Sequence, residues 1–396
     1  MVHIPSCALC SGRRPFCIHK SYPLVGGWEI EKKIKEKLKK DFFGPSYSVF
    51  VGREGYPDVF AGPLVGIEEK EAIDSPQSWM GMEYSKIIEL RSFLLRSKKM
   101  ENIKSKSRFI RQVQELSLAH RPADIEVGFK KTPVYSFRLS EALQPMGPSG
   151  ELEKMRVTEN IKVKEKIERI VTDDLKAGQA TFLLYKAGLD VYKIASIFSS
   201  GSLGLEKNKK LVPSRWTATG IDDIIAKALI EKIKKYPSIN EYEVFESMHI
   251  DNHFVVLLMP GSWEFENFEV WAPGSNWALP TQSRIIEEYE PFQGRKEYAE
   301  KQAGGYYASR ISAVSYLEKI KRQARVVVFR EVGEDYSVPL GVWLVRETSG
   351  KAFAPTPKKF QTQQEALSYI KTRLRIPIEE YRKQSRILGQ KRIFEF

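Results

Sequence analysis

The first chemistry that the sequence suggests is metal binding by cysteines near the start of the chain. Cys7 and Cys10 are two residues apart, and Cys17 and His19 follow closely. A tight turn can direct the first two thiolates at one ion, and three Cys with one His is a tetrahedral zinc set. Because His19 follows Cys17 so closely, His3 is an alternative fourth ligand. We expect structural zinc; the alternative is an arm with free thiols.

A second feature is the peptide after Gly389, in which Gln390, Ile393 and Phe396 recur at every third position. A 3₁₀ turn has three residues per turn, so Ile393 and Phe396 can enter one apolar pocket together. Gln390 can donate and accept hydrogen bonds at the rim, and Phe394 is a further aromatic. The peptide resembles the PIP box by which DNA replication and repair proteins bind the sliding clamp PCNA. The alternative is that these apolar residues join the protein's own core.

A third group of residues suits an anionic ligand. Arg215 and Trp216 lie shortly after Lys207, Lys209 and Lys210. Cations beside an aromatic surface can bind single-stranded nucleic acid, because bases stack on the ring while the charges meet the phosphates. The alternative is a loop that is anchored by a buried tryptophan.

The segment 51–60 carries Arg53, Glu54 and Asp58 between glycines, and functional residues are common on such loops. One interpretation is a nucleotide or phosphate site in which Arg53 holds the anion. Glu54 or Asp58 would then act as base or metal ligand, which makes them the candidate catalytic residues. The alternative is the polar tip of a hairpin.

One histidine-containing segment can also be interpreted in two ways. His249, Asp251 and His253 fit a metal or acid–base cluster by residue type. The entry of a strand with surface histidines explains the same residues equally well. The sequence alone does not favour a site at this position.

The chain as a whole is basic. Its 396 residues include 63 Lys and Arg against 50 Asp and Glu, a formal charge of +13, which favours an anionic partner such as DNA. Runs such as 31–40 are typical of solvated helix faces. No apolar stretch approaches the roughly 20 residues that a membrane helix needs, and no signal peptide is evident. We therefore expect a cytoplasmic protein without a membrane partner.

The elements that must position these residues are of mixed type. Periodicity predicts a hairpin with strands at 47–51 and 59–61, and helix-compatible stretches at 84–118 and 161–189. Later elements are a helix at 222–234 starting near Asp222 or Asp223, strands at 242–245 and 253–259, a helix at 308–321, strands at 325–330 and 340–346, and helices at 362–374 and 378–388. This order has no repeat and favours an α+β fold over a doubly wound sheet.

Four parts of the chain are expected from these patterns. The turn-rich segment between Trp271 and Pro280 marks the main boundary. The predicted parts are a zinc knuckle at 1–22, a large mixed α+β domain at 23–275, a smaller α+β domain at 280–388, and a mobile tail at 389–396 that carries the PIP box.

Four segments in this order carry a resemblance to a known family: the cysteine cluster, residues 51–60, residues 211–223 and the terminal peptide. Together they make the chain similar to the archaeal Nre family of DNA repair proteins over nearly its full length. The resemblance implies a zinc finger at the start, a PIP box at the end, a role in DNA damage and PCNA as partner. Family members often have a fourth cysteine before a proline, where this chain has Tyr22 before Pro23.

Two functions fit these features, and the sequence leaves open whether the protein is an enzyme. The first is a DNA-binding repair factor that the clamp recruits, with zinc in a structural role. The second is a DNA-modifying enzyme recruited in the same way, either a nuclease or a nucleotide- or NAD-dependent group transferase.

Overall fold

The computed structural model describes residues 27–135, 144, 146–272, 284–336 and 338–389. The chain divides into two compact units, and the division falls between Ile225 and Ala226. The boundary predicted between Trp271 and Pro280 lies mostly outside the described residues and stays a prediction. In the described ranges, no helix is long and apolar enough to cross a membrane.

The first unit, residues 22–225, contains a barrel of five strands. The strands are β1 (Asp41–Val51), β2 (Asp58–Gly66), β3 (Leu94–Asn102), β4 (Ala123–Phe129) and β5 (Ser149–Val157). The helices are α1 (Gly27–Lys37), α2 (Tyr84–Ser92), α3 (Arg108–Leu118), α4 (Glu165–Thr172), α5 (Ala177–Lys186), α6 (Val191–Ser199) and the first part of α7 (Ser214–Ile233).

The barrel closes in the order β1-β2-β3-β5-β4. Neighbouring strands are antiparallel except β3 and β5, which are parallel. Alternate side chains point inward, as Val59 and Ala61 do on β2, and fill the core. The Ser107 hydroxyl caps the start of α3 by accepting from the Ile110 N–H, and Val113 of this helix packs into the same core.

The second unit, from residue 226, is built on one six-stranded sheet of order β11-β6-β7-β10-β8-β9. The strands are β6 (Tyr242–His249), β7 (Asn252–Met259), β8 (Glu264–Trp271), β9 (Arg284–Glu290), β10 (Arg325–Val332) and β11 (Lys358–Phe360). The helices are the rest of α7, α8 (Gly304–Ile320), α9 (Val342–Ala352), α10 (Gln363–Lys371) and α11 (Ile378–Gln384). One sheet face packs on α10 and α11 through residues such as Phe329, Ile370 and Tyr381.

The predicted mixed α and β composition is confirmed, as are the hairpin and the strands at 242–245, 253–259 and 325–330. Thr362 caps α10 together with Glu365. The long helix-compatible stretch 84–118 is instead interrupted by β3, because pairing with β2 and β5 outweighs the helix propensity of its lysines.

Two other assignments were wrong. Residues 340–346 were predicted as a strand, but residues 342–346 form the start of α9, because a short apolar run does not distinguish strand from helix. The helix predicted to begin near Asp222 begins at Ser214 and so includes Arg215 and Trp216.

Candidate nucleic-acid interface

In the first unit, the turn between β1 and β2 meets the start of α7. The Val51 N–H donates to the Ser214 hydroxyl oxygen at 2.9 Å. The rings of Tyr56 and Trp216 lie 5.4 Å apart between centroids, with their planes at 50°. Tyr56 is 43% exposed and Trp216 is 49% exposed. Trp216 is therefore a half-exposed residue of a helix, and it forms a surface aromatic pair with Tyr56 rather than a buried anchor.

The conformation of the turn is fixed by backbone requirements. Gly55 has φ +82°, and a Cβ there would lie 2.7 Å from the Asp58 carbonyl oxygen, so glycine is needed. The Asp58 carboxylate accepts a hydrogen bond from the Asn102 amide at 2.8 Å. The Ile103 N–H donates to the Pro57 carbonyl at 3.0 Å. These contacts hold the turn against the end of β3 and so hold Tyr56 in position.

A cluster of hydroxyl groups holds the start of α7. The buried Ser199 hydroxyl donates to the Val212 carbonyl at 2.9 Å and lies 3.1 Å from both the Ser214 and the Thr217 hydroxyls. The Leu211 N–H donates to the Ile103 carbonyl at 2.8 Å. The same loop after β3 thus fixes both the turn and the segment that leads into α7. The sequence analysis missed Ser199, although a run of serines before a basic loop was visible.

The predicted cations lie around this aromatic pair and in the segment that precedes it. Arg53 is exposed on the turn, and Arg215 is exposed beside Trp216. Lys207 and Lys210 are exposed in the segment that leads to Leu211. Lys209 is half-buried, and its ammonium group lies 3.2 Å from the Glu206 carboxylate. An exposed aromatic pair with arginines on both contributing segments can bind an anion that also has flat rings.

The two candidate catalytic acids are exposed to solvent. Glu54 lies on the turn, and Asp58, which begins β2, accepts a hydrogen bond from Asn102. No group of three His, Cys, Asp or Glu side chains suited to a metal ion occurs in the described parts of the chain.

His253, in the second unit, lies between two carboxylates. Its Nε2 lies 2.8 Å from Glu246 Oε1, and its Nδ1 lies 3.8 Å from Glu331 Oε2. Glu246 also binds Arg373, and Asp251 binds Arg375, so each acid has a cationic partner. Burial of the imidazole lowers its pKa, but hydrogen bonds and charge from Glu331 and Glu246 outweigh this and raise the pKa of His253.

Both terminal motifs lie outside the described residues. These are the proposed zinc ligands Cys7, Cys10, Cys17 and His19, with His3 as the alternative, and the PIP-box residues Gln390, Ile393, Phe394 and Phe396.

The segment just before the C-terminal peptide is firmly attached to the second unit. Glu266 accepts hydrogen bonds from the Ser385 hydroxyl and from the Arg386 N–H, the latter at 2.6 Å. Ile387 and Leu388 are buried in the core beneath the sheet. Burial raises the pKa of Glu266 to about 7, which the hydrogen bonds to its carboxylate only partly oppose. The fold therefore holds the chain as far as Leu388.

Comparison with known proteins covers nearly the whole chain. Residues 16–278 match the family described as archaeal Nre, N-terminal, and residues 290–396 match archaeal Nre, C-terminal. The chain is 35% identical over 373 residues to the DNA repair protein NreA of Archaeoglobus fulgidus, which covers 93% of each chain. It is 32% identical to DNA repair protein NreB of the same organism, over 98% of this chain and 99% of that protein.

A further relative is the DNA repair protein NreA of Haloferax volcanii, which is 32% identical over 97% of this chain and 96% of its own length. No solved structure matches the chain.

The ion pairs of His253 predict how stability depends on pH. Because the pKa of His253 is raised from 6.5, its contribution should be complete below pH 6.5 and lost as pH rises through the raised value. Glu246 and Glu331 have pKa values lowered from 4.5, so their contribution is lost as pH falls below that range. His253→Gln should therefore cost about 1–3 kcal/mol near pH 5.5–6 and less at pH 9.

Urea denaturation of the unchanged protein and of His253→Gln, from pH 5 to pH 9, measures this difference in the free energy of unfolding. His120→Gln, at an exposed histidine of the first unit, is the control and should change stability little at any pH. A cost of His253→Gln that grows as pH rises would contradict the assigned ion pairs.

Proposed function

Because this chain belongs to the archaeal Nre family, we propose that it is a DNA repair factor that binds DNA and is recruited to the sliding clamp PCNA by a C-terminal PIP box. The relatives it resembles over nearly their full length are named DNA repair proteins, which supports the repair role. The observation that carries DNA binding is the exposed pair Tyr56–Trp216 with Arg53 and Arg215 beside it.

The proposed DNA contact combines two kinds of attraction. Phosphates are drawn to the cations of the turn and of the segment 207–215, and the net charge of +13 adds a long-range attraction. Bases stack on the exposed aromatic faces, which is a contact that every base can make. Neither attraction reads a base sequence, so the affinity should depend on salt much more than on sequence.

The proposed clamp contact uses the peptide directly after the anchored segment. Ile393 and Phe396 fill an apolar pocket of the clamp, Phe394 adds apolar contact, and Gln390 forms hydrogen bonds at the rim. Because Glu266 and the core hold the chain as far as Leu388, the peptide can be bound by a partner without disturbing the fold. The contacts of Glu266 and the burial of Ile387 and Leu388 thus support the interpretation of residues 390–396 as a docking peptide.

Structural zinc in the N-terminal knuckle completes the proposal. We expect about one zinc ion per chain, bound by Cys7, Cys10, Cys17 and either His19 or His3. Elemental analysis of protein never exposed to chelator measures the content. His19→Ala and His3→Ala, made separately, should show which histidine is the ligand, and His120→Ala serves as the control. Protein that contains no zinc before any treatment would remove this part of the proposal.

DNA affinity should fall steeply as salt rises, because cation release drives the binding. Replacing Lys207, Lys209 and Lys210 together by Gln should reduce the slope of log affinity against log salt, by roughly 0.7 for each single-strand phosphate that is no longer neutralised. The matched control replaces Lys33, Lys39 and Lys40, which are exposed on and after α1, and should change the slope less. Equal effects of the two triple variants would show that the charge acts only as a diffuse field. Salt-independent binding would contradict the mechanism.

Clamp binding should depend on the last seven residues and on no part of the fold. Replacing Ile393 and Phe396 by Ala should weaken PCNA binding by roughly a hundredfold or more, because each buried side chain contributes about 1.5–3 kcal/mol. Gln390→Ala should cost only about 0.5–1.5 kcal/mol. Titration calorimetry with purified PCNA measures these affinities.

Deleting residues 390–396 should abolish the interaction and leave the melting temperature almost unchanged. The control is Ile387→Ala, a buried position just before the peptide, which should cost about 2–5 kcal/mol of stability. A deletion that lowers the melting temperature as Ile387→Ala does would show that the peptide belongs to the core, and one that leaves clamp binding intact would show that the peptide is not the docking element.

A further inference from the structure

The topology of the first unit adds a specific expectation about its ligand. Five strands close in the order β1-β2-β3-β5-β4, β3 runs parallel to β5, and α3 connects β3 to β4. This is the arrangement of the OB fold, a five-stranded Greek-key barrel. Proteins with that fold commonly bind oligonucleotides on the outer face of strands 2 and 3 and on the loop between strands 1 and 2. Here that loop is the turn that carries Arg53 and Tyr56.

We propose that the outer face of β2 and β3, continued by Tyr56 and Trp216, binds single-stranded DNA in preference to duplex DNA. This inference rests on the proposed DNA-binding function and names its substrate class and its surface. The residues of β2 and β3 that it adds are Phe60, Lys98 and Met100, and none of them was singled out from the sequence.

The outer face carries the side chains that such a ligand needs. Phe60 and Met100 are direct partners in the β2–β3 register, so their side chains lie on the same face. The Lys98 ammonium group lies 4.9 Å from the centre of the Phe60 ring, which places a cation on that face as well. Met100 is 46% exposed. The neighbouring residues Val59 and Ala61 point the other way, into the barrel core.

Within the described residues, the face is covered at the end that lies away from the turn. At its far end, Leu64 packs against the apolar cluster that contains Ile34, Phe93 and Tyr135. Between Leu64 and Phe60, the strands approach so closely that a Cβ on Gly62 would lie 1.8 Å from the Ser97 carbonyl oxygen. Because Gly62 has no side chain, nothing projects from the sheet at this position. The accessible part of the face therefore runs from Phe60 to the turn.

At the open end the face continues into the aromatic pair. The turn that carries Tyr56 is bound to the end of β3 through Asp58–Asn102 and Pro57–Ile103. Phe60 lies on β2 directly after the turn that carries Tyr56, and Tyr56 pairs with Trp216, so the strand, the turn and α7 each supply an aromatic residue. Each of the three segments also has a cation nearby, namely Lys98 on the neighbouring β3, Arg53 on the turn and Arg215 on α7.

Two of the carboxylates near this face have partners within the protein. Asp58 accepts from Asn102, and Glu101 accepts from the Ser105 and Ser107 hydroxyls and lies 3.6 Å from the Lys99 ammonium group. Their charge is therefore partly compensated within the protein. The cations on the face are left with a favourable field for phosphates.

Aromatic surfaces distinguish the two forms of DNA. In a duplex the bases are already stacked and paired, so only the phosphates can meet the protein and the rings contribute little. In a single strand each base can stack on an aromatic side chain, which accounts for the affinity of aromatic grooves for unpaired DNA. A site that relied on cations alone would favour the higher charge density of the duplex.

The barrel also offers a rival surface with exposed aromatic residues. A groove of about 490 Å³ is lined by Phe42, Phe43 and Met155 with Asp41, Glu126, Lys154 and Arg156. Its two acids offset its two bases, and Asp41 lies 3.2 Å from Lys154. This groove lacks the positive charge that DNA needs. Phe43, which is 64% exposed, therefore provides a matched control for an exposed aromatic residue.

The test measures fluorescence anisotropy of the full-length protein with labelled oligo-dT of about 20 nucleotides, which exceeds the site size of one OB barrel, and with a duplex of the same length. Trp216→Ala and Phe60→Ala should each weaken single-strand binding roughly 5- to 100-fold and change duplex binding much less. Trp216→Phe should retain most of the affinity, because it keeps a stacking surface. Phe43→Ala should bind as the unchanged protein does.

Three outcomes separate this inference from the function on which it rests. If the unchanged protein binds neither DNA form, the proposed DNA-binding function fails, and this inference fails with it. If it binds duplex at least as tightly as single strands, or if Phe43→Ala weakens binding as much as Trp216→Ala, only this inference is overturned.

Tyr56→Ala provides a second test if Phe60→Ala does not fold, because Tyr56 is 43% exposed and lies outside the strands. It should weaken single-strand binding in the same range as Trp216→Ala. Unchanged binding by folded Tyr56→Ala and Trp216→Ala proteins would also overturn the inference.

Discussion

The closure of the barrel through β1 is the constraint on which the first unit depends. The first half of this strand pairs with β4 and the second half with β2, and Ser46 has a partner in both strands. A closed barrel has no free edge and only one interior, so the side chains of each strand must divide between core and surface. Because Val59 and Ala61 fill the interior, Phe60 must face outward. The same closure places the β1–β2 turn beside the end of β3, where α7 begins.

The second unit contains charged side chains that are buried and paired with one another. Arg330 binds Glu269 and Asn252, and Arg310 binds Glu290, all within the covered interior of the unit. Removing such charges from water is costly, and each is offset by a specific partner, so the loss of one partner would leave an uncompensated buried charge and destabilise the unit. The His253 pairs belong to the same class. A cluster that the sequence could present as catalytic thus has a structural explanation in the fold.

Residue type and short spacing were enough to identify part of the candidate site. Glycines indicated the turn that carries Arg53, and a tryptophan among cations indicated Arg215 and Trp216, although the sequence placed the start of that helix near Asp222 or Asp223. The rest depends on pairings that are distant in the sequence. Lys98 and Met100 lie in a lysine-rich stretch with helical character, and only pairing with β2 makes it a strand. Tyr56 gains its significance from Trp216, 160 positions later in the sequence, and no local pattern could indicate that contact.

The anchor at Glu266, Ile387 and Leu388 also sets the reach of the C-terminal peptide. Ile393 follows Leu388 by five positions. Because an extended chain spans at most about 3.6 Å per residue, Ile393 can lie at most about 18 Å from Leu388. A clamp that bound Ile393 as proposed would therefore lie close to the surface of the second unit. With so short a connection, the proposed clamp contact would keep the second unit close to the clamp and to the DNA inside it.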